Sequence, residues 1–386
     1  MATGMQCIGV LTGGGDCPGL NAVIRAVAKS AIGNYHLDIV GIEDGFLGLI
    51  ENRMRPLHWN DVSSILTRGG TILGTSNKSD PQHFGVRNLA GELEYRDMTQ
   101  TVLDNIRQAG LDALICIGGD GTMTAAANLI KHGVNCIGVP KTIDNDIVGC
   151  DITFGFDTAV TTAAEALDKI HSTAASHHRA MLVEVMGRNA GWLALHAGVA
   201  TGADIILIPE IPYSVAKICD AVLARRRKGR KFSIICVSEG AKEIGGSVTI
   251  QRRVEGSPEP IRLGGVSLKL SQQIEDATGI ETRATVLGHV QRGGTPTPFD
   301  RVLATQYGHH AVELLMNGDT GKIVVMQGGV ITDEPITSVA NKQRLVPVDH
   351  PLMLAARAVG TMGLLPWDID IGLDDKPASV VASATI

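Results

Sequence analysis

Short apolar runs alternate with helical patterns along almost the whole 386-residue chain. Residues 7–11 (CIGVL) and 111–119 (LDALICIGG) are two such runs, and each leads through a glycine-rich loop into a helical pattern. Continuously apolar strands separated by helices are typical of a parallel sheet covered on both faces. The pattern therefore predicts a doubly wound α/β fold, with ligands bound at the carboxyl ends of the strands.

The same alternation predicts further elements and a division of the chain. Strands are expected within residues 134–140, 180–186, 203–210, 233–239 and 284–290. Helices are expected within residues 21–32, 122–131 and 161–175. The length suits two packed domains, and a boundary is expected near residue 155. The polar stretch 244–265, which bears glycine and proline, is expected to form a hairpin or surface excursion.

Composition narrows the classes of partner. The formal net charge of -6 provides no basic field, so nucleic acid is not expected as a partner. The seven cysteines include no CxxC pair, which favours reduced, structural thiols in a cytoplasmic protein. We expect no signal peptide, and no apolar run approaches the ~20 residues of a membrane span.

Two glycine loops each follow an apolar strand and open a helix: Gly13–Asp16 and Gly118–Thr122. Such a loop lets backbone N–H groups approach phosphate oxygens while the helix N-terminus supplies partial positive charge. One loop alone would favour a simple tight turn, but two at the same sheet edge favour phosphate binding. Neither is a P-loop or a dinucleotide fingerprint. Asp120 can hold Mg²⁺ that bridges phosphates, or cap the helix, or do both.

The segment PKTIDND (residues 140–146) follows another strand and brings two acids, an amide and a hydroxyl into a strand-end loop. We expect it to lie beside the second glycine loop. A carboxylate here can accept a proton from a substrate hydroxyl, a role worth ~10²–10⁴ in rate. Phosphoryl transfer otherwise needs positioning and charge neutralisation.

Cationic side chains also lie near predicted strand ends. They are Arg179, Arg188, Arg283, His289 and Arg292. Arginine makes bidentate contacts with phosphate, so a cluster indicates anion capture, whereas a single arginine is more often a solvated surface group. His289 is a candidate hydrogen-bond donor to phosphate only because Arg292 follows it.

Six motifs, in order over roughly residues 7–310, closely resemble those of the phosphofructokinase family. They are LTGGGDCPGLN, IGGDGT, TIDND, FGFDTA, VEVMGR and GHVQRGGTPTPFDR. The resemblance implies two similar doubly wound, Rossmann-like lobes with mainly parallel sheets and the active site in the cleft between them. It implies a phosphoryl-donor lobe over residues 1–155, a fructose 6-phosphate lobe over 156–290, a return to the donor lobe over 291–345, and a C-terminal segment, 346–386, packing on the sugar-phosphate lobe.

The resemblance also implies a role for each matched residue. Asp144 is expected to take the proton of the 1-hydroxyl of fructose 6-phosphate, Thr142 and Arg188 to stabilise the moving phosphoryl group, and Asp120 to hold Mg²⁺. The donor is expected to contact Gly14, through its N–H, and Gly119, Gly121, Thr122, Lys78 and Lys141. The sugar phosphate is expected to contact Thr142, Asp144, Asp146, Met186, Gly187, Arg188, Glu239, His289 and Arg292. Arg179 and Arg283 are expected to reach the 6-phosphate from a neighbouring subunit of a homodimer or homotetramer.

The identity of the phosphoryl donor depends mainly on Gly121 and Lys141. Relatives that use pyrophosphate resemble one another in carrying an acid at the first position and a lysine at the second, whereas simple ATP-using bacterial enzymes carry glycine at both. An acid at 121 would repel the α-phosphate of a nucleotide, and glycine leaves that space open. We therefore favour ATP, with pyrophosphate as the alternative.

Two other functions compete with this one. A lipid or NAD kinase could also carry GGDGT, but it would not need TIDND, MGR and HVQRGG. A silent sugar-phosphate sensor should have lost the base or the metal acid, and this chain keeps both. Control by a nucleotide or phosphoenolpyruvate is a further hypothesis. Arg25 and Lys29 resemble effector-site residues of the family, and Asp204 could stand for its metal-binding acid, whereas His171 replaces an arginine there.

Overall fold

The computed structural model describes residues 4–88, 90–254 and 260–363. Its strands are β1 (Cys7–Thr12), β2 (Asp38–Ile42), β3 (Met54–Pro56), β4 (Phe84–Arg87), β5 (Leu93–Arg96), β6 (Ala113–Gly118), β7 (Cys136–Pro140), β8 (Ala180–Val185), β9 (Ile205–Leu207), β10 (Ser233–Ser238), β11 (Ile250–Arg253), β12 (Ile261–Leu263), β13 (Thr282–Val286), β14 (Lys322–Gln327) and β15 (Val330–Pro335). Its α-helices are α1 (Leu20–Tyr35), α2 (Phe46–Ile50), α3 (Thr99–Gln108), α4 (Asp120–Lys131), α5 (Phe156–His177), α6 (Trp192–Ala200), α7 (Val215–Arg227), α8 (Val266–Thr278), α9 (Pro298–Met316), α10 (Ile336–Val339) and α11 (Pro351–Ala358). A 3₁₀ helix spans Gly288–Arg292.

The chain divides into two compact units. The first comprises Met1–Ala163, Ile250–Leu263 and Leu287–Leu345, and the second comprises Ala164–Thr249, Gly264–Val286 and Val346–Ile386. The division near the middle of the chain falls inside α5, a few residues beyond the boundary expected near residue 155. Assignment of the units to donor and sugar phosphate stays a prediction, and residues 364–386 of the expected C-terminal segment lie outside the described residues.

The first unit is built on a seven-stranded sheet in the order β15-β14-β7-β6-β1-β2-β3. The five central strands are parallel, and the edge strands β3 and β15 are antiparallel to their neighbours. Strand β2 lies on one side of β1, toward the β3 edge of the sheet, whereas β7 lies on the opposite side of β6, toward the β15 edge. Because such crossovers are right-handed, α1 and α4 cover opposite faces. The strand order therefore reverses between the paired strands β1 and β6. This is the topological switch point, at whose carboxyl end ligands bind in doubly wound sheets.

Helices α1 and α9 pack closely on each other in the first unit. Gly308 of α9 makes this possible, since a Cβ there would lie 2.8 Å from both Ala26 Cβ and the Val23 carbonyl oxygen. Helix α9 also contacts β7 and β14, so it lies directly on the sheet. All residues of β6, and all of β1 except Cys7, are buried, as their continuous apolar pattern predicts.

The second unit contains a parallel four-stranded sheet in the order β13-β8-β10-β9. Its core joins strand residues such as Leu182 and Ile235 to helix residues such as Val222, Leu270 and Ile274, all of them buried. The mainly parallel α/β architecture predicted from the sequence is confirmed. The predicted excursion contains an antiparallel pair, β11 and β12, and residues 255–259 between these strands lie outside the described residues. No helix within the described ranges combines the length and apolarity of a membrane span.

Candidate active site

Three loops meet at the carboxyl edge of the first unit's sheet, after β1, β6 and β7. They span residues 13–16, 118–122 and 141–146. The N–H of Gly13 donates to the carbonyl of Ile117 at 2.9 Å, and the N–H of Lys141 donates to the carbonyl of Gly118 at 3.0 Å. The acidic loop therefore lies beside the second glycine loop, and both lie beside the first.

Gly14 turns the first glycine loop with φ +78°, a conformation that favours glycine. Its N–H donates to the carbonyl of Ser76 at 3.0 Å, and its carbonyl accepts from the Thr75 hydroxyl at 2.6 Å. In this conformation the Gly14 N–H already has an acceptor in a loop remote in sequence, and its contact with a donor phosphate stays a prediction. A Cβ at Gly14 would lie 3.4 Å from Lys141 Nζ, so the residue still leaves needed space.

The N-terminus of α4 lies within the second glycine loop. Its N-cap is Gly119, which has no side chain to occupy the N–H groups of the first turn. Asp120 Oδ1 accepts from the N–H of Asn341 at 2.7 Å. Gly121 is exposed, and a Cβ there would meet nothing within 4 Å. Thr122 is buried beneath them, and its Oγ1 would lie 2.6 Å from a Cβ on Gly13.

The acidic loop is held in place by polar side chains. Asn145 is buried with φ +53°, and its Oδ1 accepts from the N–H of Thr153 at 2.9 Å. The Thr153 hydroxyl donates to the carbonyl of Thr142 at 2.7 Å. The N–H of Arg344 donates to the carbonyl of Asp146 at 2.8 Å. These bonds fix the backbone that carries both acids, which is the support that a preorganised site needs.

Negative charge accumulates along the acidic loop. Burial raises the pKa of Asp146, and the carboxylates of Asp144 and then Asp120 raise it further, while the Thr142 hydroxyl opposes the shift. The N–H of Asp144 donates to Thr142 Oγ1 at 3.0 Å. Three carboxylates thus influence one another at this edge, and a cation placed among them would relieve their repulsion. Within the described ranges, no cluster of three or more His, Cys, Asp or Glu side chains is arranged to hold a metal by itself.

Lys141 lies beneath the first glycine loop. Its side chain is buried, and Nζ donates to the carbonyl of Gly15. Burial lowers its pKa, and the nearby Arg292 charge adds to that shift, while Asp16 and Asp144 oppose it. The structure thus encloses the Lys141 side chain against the loop.

Of three more predicted residues, Arg292 contacts the first glycine loop, whereas Lys78 and His289 are exposed. Arg292, at the end of the 3₁₀ helix, donates through Nη1 to the carbonyl of Asp16 at 3.1 Å. A Cβ on Gly15 would lie only 2.7 Å from the same Nη1. Lys78 is exposed, two residues beyond the Ser76 carbonyl that receives the Gly14 N–H. His289 is exposed on the 3₁₀ helix.

In the second unit, two strand-end loops bring Arg188 and Glu239 onto adjacent segments. The N–H of Glu239 donates to the carbonyl of Val185 at 2.9 Å, and the N–H of Gly240 donates to the carbonyl of Gly187 at 3.2 Å. A Cβ on Gly240 would lie 1.9 Å from the Arg188 carbonyl oxygen, so the two backbones are in close contact. Met186, Gly187, Arg188 and Glu239 therefore share the carboxyl edge of β8 and β10.

Arg179 and Arg283 lie at the opposite end of the same sheet. Arg179 immediately precedes β8, and Arg283 is the second residue of β13. The six residues of β8 separate Arg179 from Met186, which at ~3.3 Å per residue corresponds to roughly 20 Å. Within one chain, these two arginines are not brought together with Arg188.

Sequence reasoning missed several residues that support the site. Thr153 and Arg344 brace the acidic loop, as described above. Glu210 Oε1 accepts from the N–H groups of Gly191 at 3.0 Å and Val346 at 2.8 Å, which ties the end of the MGRNAG loop to a distant segment. Glu210 closes the strand-end segment IPE, a position where an acid could have been noticed. No local sequence pattern around Thr153 or Arg344 indicates their supporting role.

The fold and these strand-end loops define a doubly wound α/β protein with polar sites at the carboxyl edges of its two sheets. A model of the phosphofructokinase family matches residues 7–315. The chain belongs to the phosphofructokinase family.

Curated relatives match nearly the whole chain. The ATP-dependent 6-phosphofructokinase 2 of Clostridium perfringens is 48% identical over 92% of this chain and 97% of its own length. The ATP-dependent 6-phosphofructokinase of Chloroflexus aurantiacus is 49% identical over 93% and 98%. The pyrophosphate–fructose 6-phosphate 1-phosphotransferase of Streptomyces coelicolor is 48% identical over 89% and 97%.

Solved structures show the same fold. The phosphofructokinase of Pichia pastoris superposes with a TM-score of 0.74 at 32% identity, covering 87% of this chain. This chain spans only 35% of the Pichia chain. The pyrophosphate-dependent phosphofructokinase of Marinobacter aquaeolei superposes equally well, with a TM-score of 0.74 over 89% of this chain, at 20% identity.

Proposed function

We propose that this protein is a 6-phosphofructokinase that transfers a phosphoryl group from ATP to the 1-hydroxyl of fructose 6-phosphate. The observation that carries the proposal is the meeting of the acidic loop with the N-terminus of α4, at the switch point of the first unit's sheet. Relatives at 46–49% identity over most of the chain carry the name ATP-dependent 6-phosphofructokinase. The protein is thus a glycolytic kinase, a transferase with an alcohol group as acceptor.

Asp144 is the proposed general base. It accepts the proton of the 1-hydroxyl while that oxygen attacks the terminal phosphorus and ADP leaves. The charge of the moving phosphoryl group is stabilised by the Thr142 hydroxyl and the Arg188 guanidinium, since phosphoryl transfer depends chiefly on positioning and charge neutralisation. The bracing of the acidic loop by Asn145 and Thr153 supports this role, because a base must be held within hydrogen-bond reach of its proton.

Asp120 is the proposed protein ligand of Mg²⁺. Carboxylate oxygen suits Mg²⁺, which is usually held by one or two carboxylates together with substrate phosphates and water. Burial raises the pKa of Asp146, and the charges of Asp144 and Asp120 raise it further, so a cation among these carboxylates would relieve their repulsion. When bound, the ion neutralises phosphate charge.

ATP is the proposed donor because the space beside Gly121 is open. No atom lies within 4 Å of a Cβ built there, so a nucleotide phosphate would meet neither bulk nor negative charge from this position. Lys141, Gly119 and Thr122 line the same loops. Pyrophosphate is the second candidate, because the Streptomyces coelicolor relative named for that donor is as similar as several named for ATP.

Assembly into a homodimer or homotetramer is part of the proposal. Arg179 and Arg283 lie at the amino end of the second unit's sheet, whereas Met186, Arg188 and Glu239 lie at its carboxyl end. A second copy of the chain could supply the first pair to the 6-phosphate, with Arg292 and His289 as further phosphate contacts.

Purified protein with fructose 6-phosphate and Mg²⁺, offered ATP or pyrophosphate in parallel, tests the function. We expect fructose 1,6-bisphosphate to form with ATP and not with pyrophosphate. Turnover with pyrophosphate alone would support the assignment of fructose 6-phosphate as acceptor and overturn the assignment of ATP as donor. Turnover with neither would overturn the proposal and return attention to a lipid or NAD kinase or a silent sensor.

A further inference from the structure

Glu281 lies between the two arginines at the amino end of the second unit's sheet. Strands β8 and β13 are parallel neighbours, with Ala180 opposite Thr282. One step back along both strands therefore places Arg179 beside Glu281, and the N–H of Ala180 donates to the Glu281 carbonyl at 3.1 Å. Arg283 lies two residues beyond Glu281, on the same face of the strand.

A single carboxylate oxygen of Glu281 binds both guanidinium groups. Its Oε1 lies 2.7 Å from Arg179 Nη2 and 2.6 Å from Arg283 Nη2. Two cations held on one oxygen are necessarily close neighbours, and they would repel each other without it. The same contacts lower the pKa of Glu281, with the Arg179 hydrogen bond as the largest cause, so the carboxylate stays charged under neutral conditions.

The guanidinium of Arg179 is not fully engaged by this contact. Its Nε is buried and has no hydrogen-bond acceptor within the described residues. The Arg179 side chain is only 25% exposed, whereas that of Arg283 is 51% exposed. Arg179 is thus the more enclosed of the two arginines, and its contact with the Glu281 carboxylate holds its guanidinium in one place.

We propose that Glu281 is a positioning residue that clamps Arg179 and Arg283 together as one phosphate-binding pair for the sugar phosphate bound by a second copy of the chain. The inference rests on the proposed function, because it takes from there that these arginines serve the 6-phosphate. Glu281 does not touch the substrate. It sets the spacing of the two cations before the phosphate arrives, which reduces the ordering cost of binding.

Glu275 provides a matched control. It is also a glutamate of this surface, and its Oε2 lies 3.3 Å from Arg283 Nη1, but among the described residues it forms no ion pair with Arg179. A generic surface ion pair contributes little to stability or function. If shared charge alone mattered, Glu281→Gln and Glu275→Gln would have similar effects.

The experiment compares the wild type, Glu281→Gln, Glu281→Asp and Glu275→Gln in full-length protein. We expect Glu281→Gln to raise KM for fructose 6-phosphate about tenfold, because a charge-assisted contact to each arginine is weakened and the pair is no longer preorganised. Its kcat and its KM for ATP should stay within about twofold of wild type, as should all constants of Glu275→Gln. Glu281→Asp, which keeps the charge, should recover part of the affinity.

The positioning role would be overturned if Glu281→Gln kept its unfolding midpoint and its KM for fructose 6-phosphate were unchanged or lower. Turnover by the wild type would in that case leave the proposed function intact. A wild type without turnover would overturn the proposed function instead. Calorimetric titration with fructose 6-phosphate then decides the role of Glu281. A weaker Kd for Glu281→Gln than for the wild type would support it, and equal Kd values or no binding to the wild type would overturn it.

Discussion

Replacing Gly121 by aspartate should lower kcat/KM for ATP as the phosphoryl donor. The change should not disturb the fold, because Gly121 is exposed and a Cβ there meets nothing within 4 Å. Gly121 lies in the first turn of α4, where a carboxylate usually stabilises a helix by ~0.3–1 kcal/mol. Loss of activity in this variant would therefore not reflect unfolding.

The magnitude follows from charge repulsion. Two unit charges 4 Å apart interact by ~4 kcal/mol at an effective dielectric constant of about 20. Because Gly121 is exposed, water and salt reduce this to roughly 1–2 kcal/mol, which corresponds to a loss of about 5–30-fold in kcat/KM for ATP. Pyrophosphate has no α-phosphate of a nucleotide to repel, so its use should be unchanged or improved.

The assay measures kcat/KM for ATP and for pyrophosphate at saturating fructose 6-phosphate. Gly121→Asn is the matched control, because it has the same shape without the charge. We expect it to lose far less activity with ATP than Gly121→Asp does. Equal losses in the two variants would refute the electrostatic reasoning, and unchanged use of ATP by Gly121→Asp would remove Gly121 from the donor site altogether.

Two further predictions concern buried or braced carboxyl groups. Asp144→Asn should lower kcat by ~10²–10⁴ with an unchanged unfolding midpoint, because only the proton acceptor is lost; near-normal turnover would exclude Asp144 as the base. Burial raises the pKa of Asp300 to about 6, so the folded state holds this proton more tightly than the unfolded chain. The contribution of Asp300 to stability should therefore fall by up to about 3 kcal/mol as the pH rises from about 4 to 6 and then level off. Thermal unfolding near pH ~4 and near neutral pH should show that Asp300→Asn loses less stability, relative to wild type, at neutral pH. A loss of stability that does not change with pH would contradict this prediction.

Much of the first unit could be read from the chain alone. The apolar runs at β1, β6 and β7 and the glycine loops after them are local patterns, and the carboxyl ends of parallel strands share one edge. That geometric rule places Asp120 and Asp144 on adjacent loops without any knowledge of side-chain packing. The hairpin-like excursion was also predictable, because turn residues act locally.

Only the tertiary structure decided how individual groups in these loops are used. The Gly14 N–H is taken by Ser76, Lys141 is enclosed beneath the glycine loop, and Arg344 braces the acidic loop from about 200 residues away. Each depends on contacts between segments remote in sequence, for which the chain carries no local pattern. The same holds for Glu281: its sequence position beside Arg283 is evident, but its bond to Arg179 arises because β8 and β13 pair in this register. Local chemistry thus determined which residues could bind phosphate, and long-range strand pairing determined which of them act together.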